Sequence, residues 1–346
     1  MVGNVGRLIF SLGFTVLGGG LVGLMVASTL AEAMMVVMQR WKFRRLYPAV
    51  RPSWGVPDQT LFKSMLKFGS QTTLISIAVK LVFQTDNLVV GYLYGSAAVS
   101  LYYITQMPGT MVYQLVLRLT DNATPAINEL YAHKMNAQLQ ASYLRLHGYT
   151  LIIIVSIALT IVFFSEPLIT LWVGPSQFAG LSMVVALAVF AVQIALSHVS
   201  NAFVIAQGQI RILSLLALIE GITNLGLSLF LGCIWGLPGV MWATTIANVP
   251  TSVYLLWRGQ KLAGIGLEEY WRNIIAKVMI PAMVAGILAA SFSRLLNPSS
   301  QWMVMAVTIG GWGTIYLVLA YQLSLTVAER LRIQTFFRTQ LKLMKV

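Results

Sequence analysis

The chain has almost no cysteine, very little charge, and none of the short motifs that mark common enzyme sites. Cys233 is the only cysteine in 346 residues. No intrachain disulfide and no cysteine metal cluster can form, so it reads as a small apolar side chain. Charged residues make up 10% of the chain, against about 25% in soluble domains. A phosphate-binding P-loop, HExxH and GxSxG are missing, which removes the usual signatures of P-loop NTPases, zinc proteases and α/β-hydrolases. What remains is apolar. Hydrophobic residues reach 58% and mean hydropathy is +0.78. This composition predicts an all-α, polytopic membrane helix bundle. The net charge of +13 would suit nucleic acid, but the basic residues lie in short loops between apolar runs. That is the positive-inside pattern of membrane topology, and no nucleic-acid partner is expected. Arg7 and the apolar run after it imitate a signal peptide, yet apolar character continues to Met38 and reads as membrane helix.

A spanning helix needs about 20 mostly apolar residues. Runs at 5–17 and 21–38 read as a hairpin broken at Gly18-Gly19-Gly20, with one long helix as the alternative. Next comes a basic loop, Gln39 to Lys63, which Pro48, Pro52 and Pro57 keep from being helix throughout. Further spans are expected at 65–93, 97–117, 149–172, 178–206, 212–235, 238–257, 274–295 and 301–323, about ten in all. With the N-terminus inside, 21 of the 23 basic residues fall on the cytoplasmic side; Arg294 and the intramembrane Lys80 are the exceptions. Both termini are therefore expected to be cytoplasmic, in a multi-pass protein. Residues 119–148 are polar enough to lie on the inner surface, and Pro167 is expected to kink its span. The tail 324–346 is basic and suits anionic lipid headgroups.

Polar residues inside the spans are the informative ones. Lys80, Gln84, Asp86 and Asn87 lie in one apolar run, KLVFQTDNLVVGYLYG. A charge at the bilayer centre costs roughly 2.5–3.5 kcal/mol on insertion scales, so such residues face a partner or a wet cavity. At 1.5 Å per residue, Asp86 lies about 10 Å, Thr244 about 9 Å and Asn224 about 16 Å below the outer ends of their spans. These three can share one layer. Lys80 and Glu220 each come out about 20–22 Å down and can form an ion pair in a second. Glu220, Asn224 and Ser228 share one helix face. A carboxylate with amide and hydroxyl oxygens suits a hard cation such as Na⁺, and a deep carboxylate can carry a proton instead. Helix-to-helix hydrogen bonding explains the same residues as structural glue. Lys80 and Arg118 suit a lipid phosphate or simple pairing. His198 and Asn201 suit packing. Asp121, Asn122, Glu129, His133 and His147 offer acid/base groups to a membrane-embedded glycosyl or acyl transferase, although a solvated helix face accounts for Glu129 and His133.

Several stretches, in order, resemble a known family: FGSQTTLISIAVKLVFQTDNLVVGYLYG, SAAVSLYYITQMPG, ATPAINELYAHKM, EPLITLWVG and IEGITNLGLSLFLGCIWGLPGVMWATTIANV. The chain is similar to the polysaccharide-biosynthesis branch of the multidrug/oligosaccharidyl-lipid/polysaccharide (MOP) exporter superfamily, which includes O-antigen flippases. The resemblance implies a MATE- and MOP-flippase-like architecture. Residues 1–38 would be the last helix pair of a first lobe lacking its first four helices. Residues 39–64 would be a basic linker, 65–260 a second six-helix lobe, 273–323 an additional helix pair and 324–346 the tail. It implies no enzyme, but a flippase moving undecaprenyl-pyrophosphate-linked oligosaccharide across the bacterial inner membrane by alternating access. Its partners would be the sugar lipid, membrane lipids and other polysaccharide-assembly proteins, or a chain supplying the missing lobe. No cofactor is implied beyond Na⁺ or H⁺ as coupling ion. The cation site of related flippases maps onto Asp86, Asn224, Thr244 and the Val240 carbonyl, with Ser228 where a further acid can occur. Lys80, Glu220, Gln84 and Arg118 remain as cavity or ion-pair candidates. A multidrug cation antiporter of the same superfamily is the alternative within the resemblance.

Overall fold

The computed structural model describes residues 20–48, 58–295 and 302–325, with residue 13 and short stretches at 329–331 and 334–335. Among these residues every regular element is a helix. The chain divides into two compact units, Met1–Ser64 and Met65–Val346. The first unit holds helix α1, Gly20–Leu46. Its buried positions are Gly23, Ala27 and Ala31, spaced four apart on one face, while Met25, Val36 and Val37 are exposed. The helix takes in Arg40, Lys42, Arg44 and Arg45, which the sequence reading assigned to a loop. No helix breaker precedes Pro48, so the helix outlasts its apolar stretch. The expected first span and glycine break lie mostly outside the described residues. Asp58 opens helix α2, Gln59–Tyr94. Its Oδ1 accepts from the Thr60 hydroxyl at 2.6 Å and the Thr60 amide at 2.8 Å. Those two bonds hold the Asp58 carboxyl below the usual carboxylate range.

Seven more long helices and one short one follow: α3 Ser96–Ala132, α4 Asn136–Val173, α5 Leu181–Ala206, α6 Ile210–Trp235, α7 Leu237–Ala263, α8 Leu267–Tyr270, α9 Ala276–Leu295 and α10 Trp302–Leu323. The short α8 passes into α9 through a π-helical turn, Trp271–Ile275. Helices α3 and α4 overturn one expectation. Residues 119–148 do not form a separate surface segment. They are the ends of two helices of 37 and 38 residues. At 1.5 Å per residue each is about 55 Å long, well beyond a hydrocarbon core of about 30 Å. Neither Pro125 nor Pro167 ends its helix.

Six helices among the described residues are long and apolar enough to cross a membrane: Val22–Leu46, Asn136–Val173, Leu181–Ala206, Ile210–Trp235, Leu267–Ser291 and Trp302–Leu323. Helices α2, α3 and α7 are equally long but more polar, and each buries some of its polar residues, among them Asp86 of α2, Gln106 of α3 and Thr244, Thr245 and Asn248 of α7. Helix α6 shows the inversion most clearly. It exposes Leu215, Ile219, Ile222 and Phe230 and buries Glu220, Asn224 and Ser228. In water that pattern would be inside out; in lipid it places apolar side chains against acyl chains and polar ones against partners. The chain is a multi-pass helical membrane protein.

Helix α5 is central to the second unit. It packs on α3, α4 and α7, while α6 packs on α7, and α9 and α10 pack on α4. Close approach depends on small residues, as usual between membrane helices: Ala186, Ala191, Ala195 and Ala202 of α5 and Ala243 and Ala247 of α7 are buried. Two glycines fix the α6–α7 turn. Gly236 has φ +71°, a left-handed conformation that side chains resist. A Cβ on Gly239 would lie 2.1 Å from the Leu231 carbonyl oxygen, so only glycine lets α7 start this close to α6.

Candidate functional site

Asp86 is completely buried, at the point where the second half of α2 meets α3, α6 and α7. Helix geometry explains why this residue of the run turns inward. At about 100° per residue, Val89 and Val90 lie within about 60° of Asp86, whereas Lys80 lies about 120° and Gln84 about 160° away. Val89 and Val90 are buried accordingly, and Lys80 and Gln84 are exposed.

Four neutral side chains surround the carboxylate. The Thr244 hydroxyl donates to Oδ2 at 2.7 Å, and the Tyr102 hydroxyl donates to the same oxygen at 3.2 Å. The Asn224 amide donates to Oδ1 at 3.3 Å, with the Ser228 hydroxyl 3.4 Å from that oxygen. The ring is cross-linked, since the Asn224 Oδ1 lies 3.1 Å from the Thr244 hydroxyl and 3.2 Å from the Ser228 hydroxyl. The Val240 carbonyl is 3.4 Å from the Thr244 hydroxyl. The structure therefore brings Asp86, Asn224, Val240 and Thr244 together, with Ser228 beside them. Tyr102 was not foreseen. It stands six residues into α3, about 9 Å from that helix's start. The same depth count, applied to α3, would have placed it in this layer.

One turn further along α6 and α7 lies a second polar layer, but not the expected one. Glu220 takes Asn248 as its partner, whose amide donates to Oε1 at 2.8 Å, and Thr251 also hydrogen-bonds it. The Ser252 hydroxyl donates to the Asn248 Oδ1 at 2.5 Å. No ion pair joins Lys80 to Glu220. The His198 Nε2 lies 3.4 Å from the Asp121 Oδ1, an ion pair only when the imidazole is protonated. Depth alone matched Lys80 with Glu220, and rotation about the α2 axis separates them. Arg118 is likewise exposed, on the face of α3 opposite Tyr102.

A cavity of about 300 Å³ opens beside this second layer. Its wall is mostly apolar, from Phe68 of α2 through Phe190 and Ile194 of α5 to Leu213 and Leu216 of α6. Glu220, Asn248, His198 and Asn201 supply polar groups. Lys80, Gln84 and Arg118 do not line it.

The acid/base set considered for a transferase does not converge. Glu129 and His133 are exposed at the end of α3, and Asp121 pairs with His198. His147 is buried elsewhere, with Nδ1 3.0 Å from the Tyr143 carbonyl and Nε2 3.2 Å from both the Leu196 carbonyl and the Ser200 hydroxyl.

Residues 1–180 match the family model described as polysaccharide biosynthesis protein. The chain belongs to that family. No curated protein is matched. Among solved structures, the fold is similar to that of the lipid II flippase MurJ in its inward closed conformation, with TM-score 0.60, 14% sequence identity and 92% of this chain covered. At that identity the likeness is one of fold. The chain spans 65% of the length of that flippase. The family and the fold agree with the resemblance drawn from the sequence.

Proposed function

We propose that this member of the polysaccharide biosynthesis family takes part in flipping a lipid-linked oligosaccharide across the bacterial inner membrane, with both termini cytoplasmic. The expected substrate is an undecaprenyl-pyrophosphate-linked sugar, moved by alternating access coupled to Na⁺ or H⁺ at Asp86. The observation that carries the reading is a fully buried carboxylate with four neutral donors and no basic partner. Such a charge is offset by hydrogen bonds alone, so the site suits uptake of a positive charge. Its donors also fit a hard cation, which prefers oxygen ligands: the Asp86 carboxylate, the Asn224 amide oxygen, the Thr244 hydroxyl and the Val240 carbonyl. A bound cation would supply the positive charge the cluster lacks.

The residues themselves form a clasp. Asp86 is on α2, Tyr102 on α3, Asn224 and Ser228 on α6, and Thr244 on α7. Nearby, the Tyr94 hydroxyl of α2 donates to the Gly232 carbonyl of α6. The first half of α2, from Gln59 to Lys80, is largely exposed. The hold on α2 is therefore concentrated at the Asp86 end. Changing the charge there changes how firmly α2 is tied to α6 and α7, which is the type of linkage that lets an ion bias two arrangements of helices. The test is Asp86→Asn in the native host, with lipid-linked sugar export measured against imposed Na⁺ and proton gradients. Export should lose its dependence on one of the two gradients. Unchanged export with unchanged gradient dependence sinks the reading.

A further inference from the structure

Glu220 is a second membrane-embedded carboxylate, and the Asp86 cluster does not use it. Three observations make it more than a spare polar group. It sits 9% exposed at the wall of the cavity of about 300 Å³, so it meets a space that solvent can reach. Its partners, Asn248 and Thr251, are neutral. It also shares two helices with the Asp86 cluster in strict register. Glu220 precedes Asn224 by four residues on α6, and Asn248 follows Thr244 by four on α7. Four residues raise a helix by about 6 Å. The two layers are thus successive rungs across one interface, one rung at the cavity and the other sealed above it.

Among the described residues, the surroundings of Glu220 hold no fixed cation. Helix α7 offers Asn248 and Thr251; α3 offers Tyr113 and, nearer the open end, Asp121; α5 offers His198, bonded to Asp121. Helix α2 contributes Phe68 and Thr72 to the cavity, and its Lys80 is exposed. On α6 itself the nearest basic residue is Arg211, nine positions away and exposed. Asn201 adds an amide oxygen without a hydrogen-bond partner in the same cavity wall. A carboxylate next to acceptors and neutral donors, with no cation within the wall, is best served by a small positive species from the cavity.

We propose that Glu220 is a proton-binding site at the cavity, and that the Glu220–Asn248 rung passes positive charge between the cavity and the Asp86 rung. The end-point of that route rests on the role of Asp86 given above; the proton on Glu220 does not. No bond other than O–H is made or broken. A hydronium ion reaching the cavity gives its proton to one Glu220 carboxylate oxygen and leaves as water, and the Asn248 amide stays bonded to the other oxygen.

The experiment is infrared difference spectroscopy of the full chain in lipid, recorded as pH is stepped, on the wild type, Glu220→Gln, Glu220→Asp and Asp86→Asn. The wild type should show the carbonyl stretch of a protonated carboxyl that titrates with pH. Glu220→Gln should lose it, Glu220→Asp should keep it at a shifted frequency, and Asp86→Asn should retain it. Matching melting curves in lipid confirm that a lost band is not a lost fold, and Glu220→Asp keeps the test open if the glutamine variant fails to fold. A titrating band that survives Glu220→Gln, or no such band in the wild type, overturns the proposal. A band lost in Asp86→Asn and kept in Glu220→Gln places the proton on Asp86, which overturns this proposal and leaves ion coupling standing. If Asp86→Asn leaves gradient-dependent export untouched while the Glu220 band behaves as expected, the coupling reading fails and Glu220 remains a proton site.

Discussion

Two buried polar networks lie in this bundle, and they are built on opposite terms. The first joins Asp86 and Glu220 to hydroxyls and amides across α2, α3, α6 and α7. The second joins His147 and Tyr143 of α4 to Ser200 of α5, with the Tyr143 and Ser200 hydroxyls 2.8 Å apart. It is packed with aromatic rings: Phe203 meets Tyr143 edge-on at 4.8 Å, and Tyr270 meets His147 edge-on at 5.5 Å. The second network contains no carboxylate, and His147, Tyr143 and Ser200 are all fully buried. Its groups satisfy one another, which makes it glue between helices. The first holds two carboxylates without a basic partner, one of them beside a cavity. It stabilises the bundle less well than a neutral network of the same size would, because each charge must be compensated. Under the proposed coupling, that charge is the one used in transport.

The comparison can be broken or sharpened by substitution. The largest effect is expected from Gly239→Val. A side chain there collides with the Leu231 carbonyl, pushes α7 off α6 and opens both carboxylate rungs. The loss should reach or exceed the roughly 3 kcal/mol typical of severe overpacking, read as a large drop in melting temperature in lipid. Asp86→Ala comes next. It leaves Tyr102, Asn224, Ser228 and Thr244 without their shared acceptor, for about 1–3 kcal/mol of stability. Asp86→Asn, which keeps an acceptor in place, should cost less on the same melting curve while abolishing ion dependence of export. That split between stability and transport is the mark of a used charge. In the neutral network, His147→Ala should cost about 1–3 kcal/mol and leave the ion dependence of export unchanged; a changed dependence would mean that the two networks are not separate in function. The smallest effects belong to single hydroxyls. Tyr143→Phe and Tyr102→Phe should each cost about 0.6 kcal/mol, the average for a membrane hydrogen bond. Only Tyr102→Phe should show coupling to Asp86→Asn in a double-mutant cycle on stability, since only its hydroxyl reaches Asp86.

Much of this could be read before the structure, and the reasons are specific. A membrane span is a rigid rod of known rise, so counting residues from the ends of α2, α6 and α7 gives the depth of Asp86, Asn224 and Thr244. Counting also shows that Glu220, Asn224 and Ser228 share a stripe. Depth is one coordinate of three. It matched Lys80 with Glu220 and said nothing of rotation, although the 120° between Lys80 and Asp86 was available from the same helix. Once one residue of α2 is known to face inward, the others follow. Similarly, polar composition suggested that residues 119–148 leave the bilayer, but composition does not say whether a helix stops at the membrane surface or continues past it.

The sequence alone determined that this is a helical membrane protein, because backbone groups in lipid must be satisfied within each helix and long apolar runs leave no other choice. It also determined the depth of each polar residue, because helix rise is fixed. Only the tertiary structure decided which of those residues meet. It turned Asp86 inward and Lys80 outward, brought Tyr102 in from α3, gave Glu220 to Asn248, and set Glu220 in the wall of a cavity. Those outcomes depend on how helices rotate and how closely they approach. Rotation and approach are set by side-chain volumes packed between helices, such as the missing side chain at Gly239, and not by any one stretch read by itself.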